Sequence, residues 1–250
     1  FNEQCITYSQ MNLIFNARLF WRRFSLWIRI YLVDRYFGVG TAEEAFGRLY
    51  LESSNFGDML RIAFGRQNAN NYSQLLNQYT FELRDLVSAQ LAGNTEEMNR
   101  HINNLTKNID ARIEFLSSIN PFLNEAEWSN LLRRYDQHIL QEADVLATGN
   151  YTEGIRIFDE MTELTNKMGE IFAEGLYAYV TSGCQCACSP GEDGQQCFTS
   201  EQVNSIYNIR MFWYELAYWT RAYMLTRHYG VGSASEVFAR LKQVPEKYVS

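Results

Sequence analysis

The sequence has few of the residues that break helices or bind metals. Of its 250 residues, only 3 are proline and 3 are histidine. It also has no uninterrupted apolar run of the roughly 18–20 residues that a membrane-spanning helix needs. The most apolar stretch, Leu13 to Phe37, is interrupted by charged side chains such as Arg18, Arg22 and Arg29. We therefore expect long helices and no membrane span.

Basic charge and catalytic motifs are also missing. The formal net charge is −7, which argues against a nucleic-acid-binding protein, because neutralising phosphates needs a basic surface. The sequence contains no G-x-S-x-G, H-E-x-x-H, P-loop or dinucleotide-binding pattern. No nucleophile or acid–base pair can be named. We therefore expect no catalytic residues, no cofactor and a protein that is not an enzyme.

The most informative feature present is an internal repeat. Residues 5–49 align with residues 197–241 without a gap, and 21 of these 45 positions are identical. We interpret the match as a tandem duplication. Both copies contain Gly-Val-Gly, at residues 38–40 and 230–232, where left-handed glycines would end a helix.

Helix-capping patterns mark the other boundaries. Thr-x-x-Gln begins each copy at residues 7–10 and 199–202, and residues 41–44 and 233–236 predict a second capping box in each copy. Gly-Asn at residues 93–94 and 149–150 predicts two further helix ends, each followed by a new start. The patterns predict eight helices, at about 8–37, 42–64, 70–92, 95–118, 125–148, 151–181, 200–229 and 234–250.

These helices predict an all-α fold. Because the predicted connections are short, we expect an antiparallel up-down helical bundle followed by an incomplete second copy. The predicted organisation is a first bundle over residues 1–182, a Cys-rich linker over residues 183–197, and the first two helices of a second repeat over residues 198–250. Two amphipathic helices cannot cover their own apolar faces. We expect them to pack on the first bundle, to pair with another molecule, or to belong to a longer protein.

Four of the five cysteines lie in or beside the linker. The candidate disulfide or thiol residues are Cys5, Cys184, Cys186, Cys188 and Cys197. The C-x-C-x-C spacing is unlike that of common zinc sites, which place two residues between paired ligands. Disulfides, reduced thiols and a metal site remain open at this point. Oxidised cysteines would indicate an extracytoplasmic or spore-surface location, and reduced cysteines a cytoplasmic one.

A metal site inside the bundle has only weak candidates. His138 lies three residues after Tyr135 and four before Glu142, so the three side chains could share one helix face. The di-iron bundle signature requires Glu-x-x-His on two helices, and this pattern does not occur. We therefore predict no metal site, and His138 is expected to be a partly buried histidine satisfied by its neighbours.

Repeated arginines and aromatic residues predict the core. Arg18 and Arg29 lie on one face of the first helix and recur as Arg210 and Arg221. Inside a bundle they require acidic partners, for which Asp85, Glu142 and Asp159 are candidates, and an anion-binding pocket is the alternative. We expect the remaining repeated aromatic residues to be core anchors: Trp21, Trp27, Tyr31, Trp213, Trp219 and Tyr223.

Four segments carry a resemblance to a known family. They are "ARLFWRRFSLWIR" (Ala17–Arg29), "SINPFLNEAEW" (Ser118–Trp128), "LLRRYDQHILQEA" (Leu131–Ala143) and "GNYTEGIRIFDEM" (Gly149–Met161). In these the chain resembles small all-helical proteins of spore-forming Bacillota that are commonly labelled acetylglutamate kinase. The resemblance covers residues 5–181 and, for the first helices, 197–250. It implies an all-helical fold and leaves the function unsettled.

The resemblance also implies a lost metal site. The family pattern has histidines at the positions held here by Phe24, Tyr79 and Tyr135, and an acid at Glu142. Aromatic rings cannot replace imidazole as metal ligands.

Our leading hypothesis is a non-enzymatic helical protein that self-associates through residues 198–250, as a homo-oligomer or an open-ended assembly. The alternative is a metal- or small-ligand-binding bundle whose site is degenerate here.

Overall fold

The computed structural model describes residues 5–182 and 197–249, which form seven helices. These are α1 (Tyr8–Phe37), α2 (Ala42–Leu91), α3 (Thr95–Ile119), α4 (Glu125–Ala147), α5 (Tyr151–Ser182), α6 (Ser200–Tyr229) and α7 (Ala234–Val249). The only β-type pairing in these two ranges is a single bridge between Ile6 and Phe198. The predicted all-α class is confirmed.

The predicted helix ends mostly agree with the structure. Thr7 and Thr199 both form complete capping boxes with the glutamine three residues on, and Gly38 and Gly230 end their helices in the left-handed conformation, with φ of 62° and 68°. The exception is Thr41, whose side chain makes no capping hydrogen bond. Its backbone amide instead bonds the buried Asp34 carboxylate.

Helix α2 reverses direction at Gly65. This residue has φ of 79° and ψ of 169°, which is not helical and lies in a region open mainly to glycine. The two arms, 42–64 and 66–91, fold against each other, because the Phe46 and Phe81 rings lie 5.7 Å apart and Ser73 donates to the Ser53 carbonyl at 3.3 Å. The predicted helices at 42–64 and 70–92 are therefore separated by one residue rather than by a loop.

Helix α1 lies at the centre of the molecule. The Trp21 ring has edge contacts with Trp128 of α4 and Phe172 of α5, at centroid distances of 5.2 and 6.1 Å. Phe20 packs on Phe56 of α2 at 4.0 Å. Gly169 of α5 lies so close that a β-carbon there would come within 2.9 Å of the α1 backbone. Helices on several sides therefore cover α1.

Helices α6 and α7 pack on each other as α1 and α2 do. The Tyr223 and Phe238 rings lie 5.2 Å apart, and their counterparts Tyr31 and Phe46 lie 5.6 Å apart. Helix α7 is attached to α5 by polar contacts, including Arg240 to Asp159 at 2.9 Å. Within residues 5–182 and 197–249, no helix is long and apolar enough to cross a membrane.

Candidate functional site: helix α6 and its seam with α1

The two sequence copies meet at their N-termini through equivalent residues. Cys5 and Cys197 are paired as a disulfide, with their Cα atoms 4.9 Å apart. The next residues, Ile6 and Phe198, exchange backbone hydrogen bonds of 3.1 and 2.9 Å. Cys5 and Ile6 thus each contact their own counterpart in the other copy, 192 positions along the chain. This is the arrangement of a local twofold axis between the copies.

The same relation continues between α1 and α6, which run parallel. The Phe15 and Tyr207 rings, at equivalent positions, lie 6.3 Å apart. The Arg18 guanidinium lies over the Tyr207 ring at 3.8 Å, and Arg210 lies over the Phe15 ring at 4.5 Å. These are reciprocal cation–π contacts, since Arg18 is equivalent to Arg210. We call the α1–α6 contact surface the seam.

Farther along, the seam loses this symmetry. Arg22 donates to the Glu215 carboxylate at 3.3 Å, and both side chains are almost completely buried. Glu215 also accepts from Tyr248 at 3.2 Å and from Lys247 at 3.4 Å, both on α7. One buried carboxylate therefore connects α1, α6 and α7.

Arg29 forms the most buried part of the seam. Its guanidinium donates to Glu142 of α4, to the Gly154 carbonyl at 2.7 Å and to the Tyr218 hydroxyl of α6. Burial lowers the pKa of Arg29, but Tyr218, Glu142 and Tyr151 raise it, and the net shift is upward. Burial raises the pKa of Glu142, although Arg29 opposes this. The guanidinium thus links α4 and α5 to α6.

The far end of the seam is closed by Asp34. Its buried carboxylate accepts from Arg221 at 2.8 and 3.2 Å. Burial raises the pKa of Asp34, while Arg221 and the Thr41 amide lower it in part. Gly40 is required beside this carboxylate, because a β-carbon there would lie 2.7 Å from an Asp34 oxygen. The position equivalent to Asp34 on α6 is Thr226.

The seam has little internal space. A cavity of about 20 Å³ lies between Arg22, Phe158, Glu215 and Trp219, which is room for about one water molecule. The buried charged groups around this cavity therefore leave no space for a substrate. The ion pairs attach α6 and α7 to the first five helices.

The opposite face of α6 is exposed. We define the α6 stripe as Ile209, Trp213, Ala217, Thr220 and Met224, all of which are exposed. Their counterparts on α1 are Ala17, Trp21, Ser25, Ile28 and Leu32, each at most 1% exposed. Trp213 is 61% exposed and Met224 62%. Equivalent positions of the repeat thus lie on a covered face of α1 and on an open face of α6.

The expectation that the repeated tryptophans are all core anchors is wrong for Trp213. Trp21 is covered by Trp128, Tyr135 and Phe172, which belong to α4 and α5. No helix in the described part of the chain occupies the same place beside α6. Trp219 meets the expectation, because it is 1% exposed and lies beneath Arg240.

The weak metal candidates do not come together. Tyr135 shares a hydrogen bond of 3.2 Å with Ser25, Glu142 pairs with Arg29, and the nearest polar partner of His138 is Gln141 at 3.4 Å. Among the described residues, no group of three or more His, Cys, Asp or Glu side chains is placed to hold a metal ion.

Two further sets of predicted residues have mixed outcomes. Glu142 is the expected acidic partner of Arg29, whereas Asp85 pairs with Arg84 and Asp159 with Arg240. Arg18 instead pairs with Glu170 at 3.1 Å.

Among the cysteine candidates, Cys184, Cys186 and Cys188 lie outside the described residues.

Tyr218 and Arg112 are among the buried residues that sequence reasoning missed. Tyr218 replaces Leu26 in the repeat, and this exchange of an apolar for a polar side chain is the signal that could have identified it. Arg112 is completely buried, and its guanidinium lies over the Tyr79 ring at 4.5 Å. It lies on the apolar face of α3, three residues after Ile109, which could have identified it.

A groove of about 790 Å³ lies on the other side of α1, between α1, the first arm of α2 and the end of α5. Its walls combine amide side chains such as Asn16 and Asn55 with apolar ones such as Leu13, Phe20 and Ile62. Ile62 is exposed.

Comparison of the chain with known protein families, curated proteins and solved structures found no match.

Proposed function

We infer that the protein is a non-enzymatic structural protein that self-associates through residues 198–250. The observation that carries this proposal is the α6 stripe. Exposed apolar side chains in one contiguous row mark surfaces that bind another macromolecule. The copy of this row on α1 is fully covered by helices, which indicates the kind of surface, a helical one, that such residues pack against.

We further propose that the chain is an antiparallel up-down bundle with a tandem, incomplete second copy. Ring contacts repeated 192 positions apart, such as Tyr31–Phe46 and Tyr223–Phe238, support common descent of the two copies. In the first copy α1 and α2 are followed by α3, α4 and α5, whereas the described residues of the second copy form α6 and α7. The proposed self-association would cover what the second copy leaves open.

The experiment is a measurement of molar mass by light scattering during size-exclusion chromatography. It compares the unchanged protein with Trp213→Glu, in the presence and absence of a thiol reductant. We expect an oligomer for the unchanged protein and a monomer for the variant, because a charge in an apolar interface is costly. A strict monomer for the unchanged protein under both conditions would contradict the proposal.

A matched control is Leu91→Glu. Leu91 is also an exposed apolar residue, but it lies at the end of α2. The control is expected to keep the oligomeric state of the unchanged protein. Loss of association in both variants would indicate an unspecific effect of added charge.

A further inference from the structure

We propose that the partner of the α6 stripe is the same stripe of a second copy, packed antiparallel about a twofold axis between Ala217 and Thr220. This inference rests on the proposed function and specifies its partner and geometry. It predicts a closed dimer, not an open-ended assembly.

The spacing of the stripe fits packing between two helices. Trp213, Ala217, Thr220 and Met224 follow one another at steps of four, three and four residues, which is the repeat of helices that pack nearly parallel or antiparallel. These four residues run in the order large, small, small, large. The small pair in the centre allows two helices to approach closely there.

The contact must be between like surfaces, because the complementary surface is occupied. In the first copy, Trp128, Tyr135 and Phe172 cover Trp21, and all three are completely buried. A neighbouring molecule could offer these residues to α6 only by opening its own core. A pair formed by the same surface on both molecules needs no such rearrangement, and it closes after two copies.

An antiparallel orientation gives the better match. It places Trp213 of one copy beside Met224 of the other, a favourable sulfur–aromatic contact, and Ala217 beside Thr220. A parallel pair would place the two Trp213 rings together and leave the two Ala217 positions underpacked. Interfaces tolerate such voids poorly, because uncovered atoms lose their dispersion contacts.

The groove beside α1 is the competing surface. Its apolar wall includes the exposed Ile62, and insertion of Trp213 into it would link molecules head to tail. Half of its wall consists of amide and charged side chains, including Asn16, Asn55 and Asp58. These polar groups would have to be desolvated by an apolar stripe, which disfavours this arrangement.

The test is an exchange of charges at the proposed axis, with the dimer dissociation constant measured by sedimentation equilibrium. Ala217→Glu and Thr220→Lys are each expected to raise the dissociation constant about 30-fold or more, because each places an unpaired charge in the interface. In the double variant Ala217→Glu/Thr220→Lys, the antiparallel pair brings opposite charges together. Its dissociation constant is therefore expected to return to within about tenfold of the original value.

The outcomes separate the geometry from the function. If both single variants dissociate and the double variant stays monomeric, the antiparallel pairing is wrong while self-association through α6 stands. If Ile62→Glu dissociates the assembly and Ala217→Glu does not, the groove is the docking surface and this inference is wrong. A monomeric unchanged protein overturns both. All substituted side chains are exposed in the single chain, so the fold is expected to survive.

Discussion

Helices α1 and α6 share much of their sequence but not their surroundings. Trp21 is completely buried by α4 and α5, whereas Trp213, the equivalent residue, is 61% exposed. On the seam side the two helices are alike, because each contributes buried charged side chains that bind the other helix. The comparison teaches that burial is decided by which helices are present to cover a face, and not by residue type alone.

The largest expected difference concerns the two tryptophans. Trp21→Ala is expected to lower the free energy of unfolding by about 3–5 kcal/mol, because it leaves a cavity among packed rings. Trp213→Ala is expected to change it by less than about 0.5 kcal/mol when the protein is monomeric. Urea unfolding at low protein concentration measures both. Equal losses would mean that Trp213 is covered within the single chain.

The second difference concerns Arg29 and its counterpart Arg221. Arg29→Met leaves the Glu142 carboxylate buried without its ion-pair partner and is expected to cost about 3–5 kcal/mol. Arg221→Met is expected to cost less, because the Arg221 side chain is 36% exposed and Asp34 keeps the Thr41 amide.

Thermal or urea unfolding of both arginine variants tests this order. The double variant Arg29→Met/Glu142→Met serves as the control, since removing both charges should recover part of the loss. If the double variant is no more stable than Arg29→Met, the buried charge on Glu142 is not the cause of the loss.

The third difference is a pH dependence at Asp34, which has no titratable counterpart on α6 because the equivalent residue is Thr226. Burial raises the pKa of Asp34 above its ordinary value of 3.8. At a pH between the ordinary pKa of 3.8 and the higher pKa in the folded state, Asp34 is protonated in the folded protein and ionised in the unfolded chain. The contribution of Asp34 to stability is therefore largest below pH 3.8 and is lost as the pH rises through the folded pKa.

Replacing the carboxyl should remove this dependence. In Asp34→Asn the free energy of unfolding is expected to fall less between pH 3.8 and neutral pH than in the unchanged protein. Urea unfolding over this range measures the slope. The exposed Asp144 provides the control variant, Asp144→Asn. A slope that is unchanged in Asp34→Asn would contradict the assignment.

The smallest difference lies at the start of the second helix of each copy. The Ser233 hydroxyl accepts from the Glu236 amide at 3.3 Å, whereas the equivalent Thr41 makes no such bond. Ser233→Ala is expected to cost about 1 kcal/mol, and Thr41→Ala close to nothing. Amide hydrogen exchange in the first turns of α7 and α2 resolves these local effects. A larger loss of stability in Thr41→Ala than in Ser233→Ala would show that the two caps are misassigned.

Local rules predicted much of the fold. The glycines at residues 38, 93, 149 and 230 end helices as expected, because a left-handed residue after a helix strongly favours glycine. Asn94 and Asn150 cap the next helices through hydrogen bonds from the amides of Glu97 and Glu153. The two partners of such a cap lie within a few residues of each other, so the local sequence is enough to predict their hydrogen bond.

The seam could not be predicted in this way. The repeat identifies equivalent residues but does not say that α1 and α6 lie side by side and parallel. Tyr218, the α6 partner of Arg29, is 189 positions away from it. Likewise, the reversal at Gly65 depends on the packing of two α2 arms, and the residues around it carry no strong turn signal. These features follow from tertiary packing, which local propensity does not determine.

Joining the two copies in one polypeptide also frees the seam from the demands of symmetry. In a pair of separate, identical chains, an arginine at position 22 would face the arginine at position 23 of its mate, and the two would repel. Here the mate of Arg22 is Glu215, the counterpart of Arg23. Covalent tethering therefore permits different residues at equivalent positions of the two halves, and it keeps the halves together at any dilution.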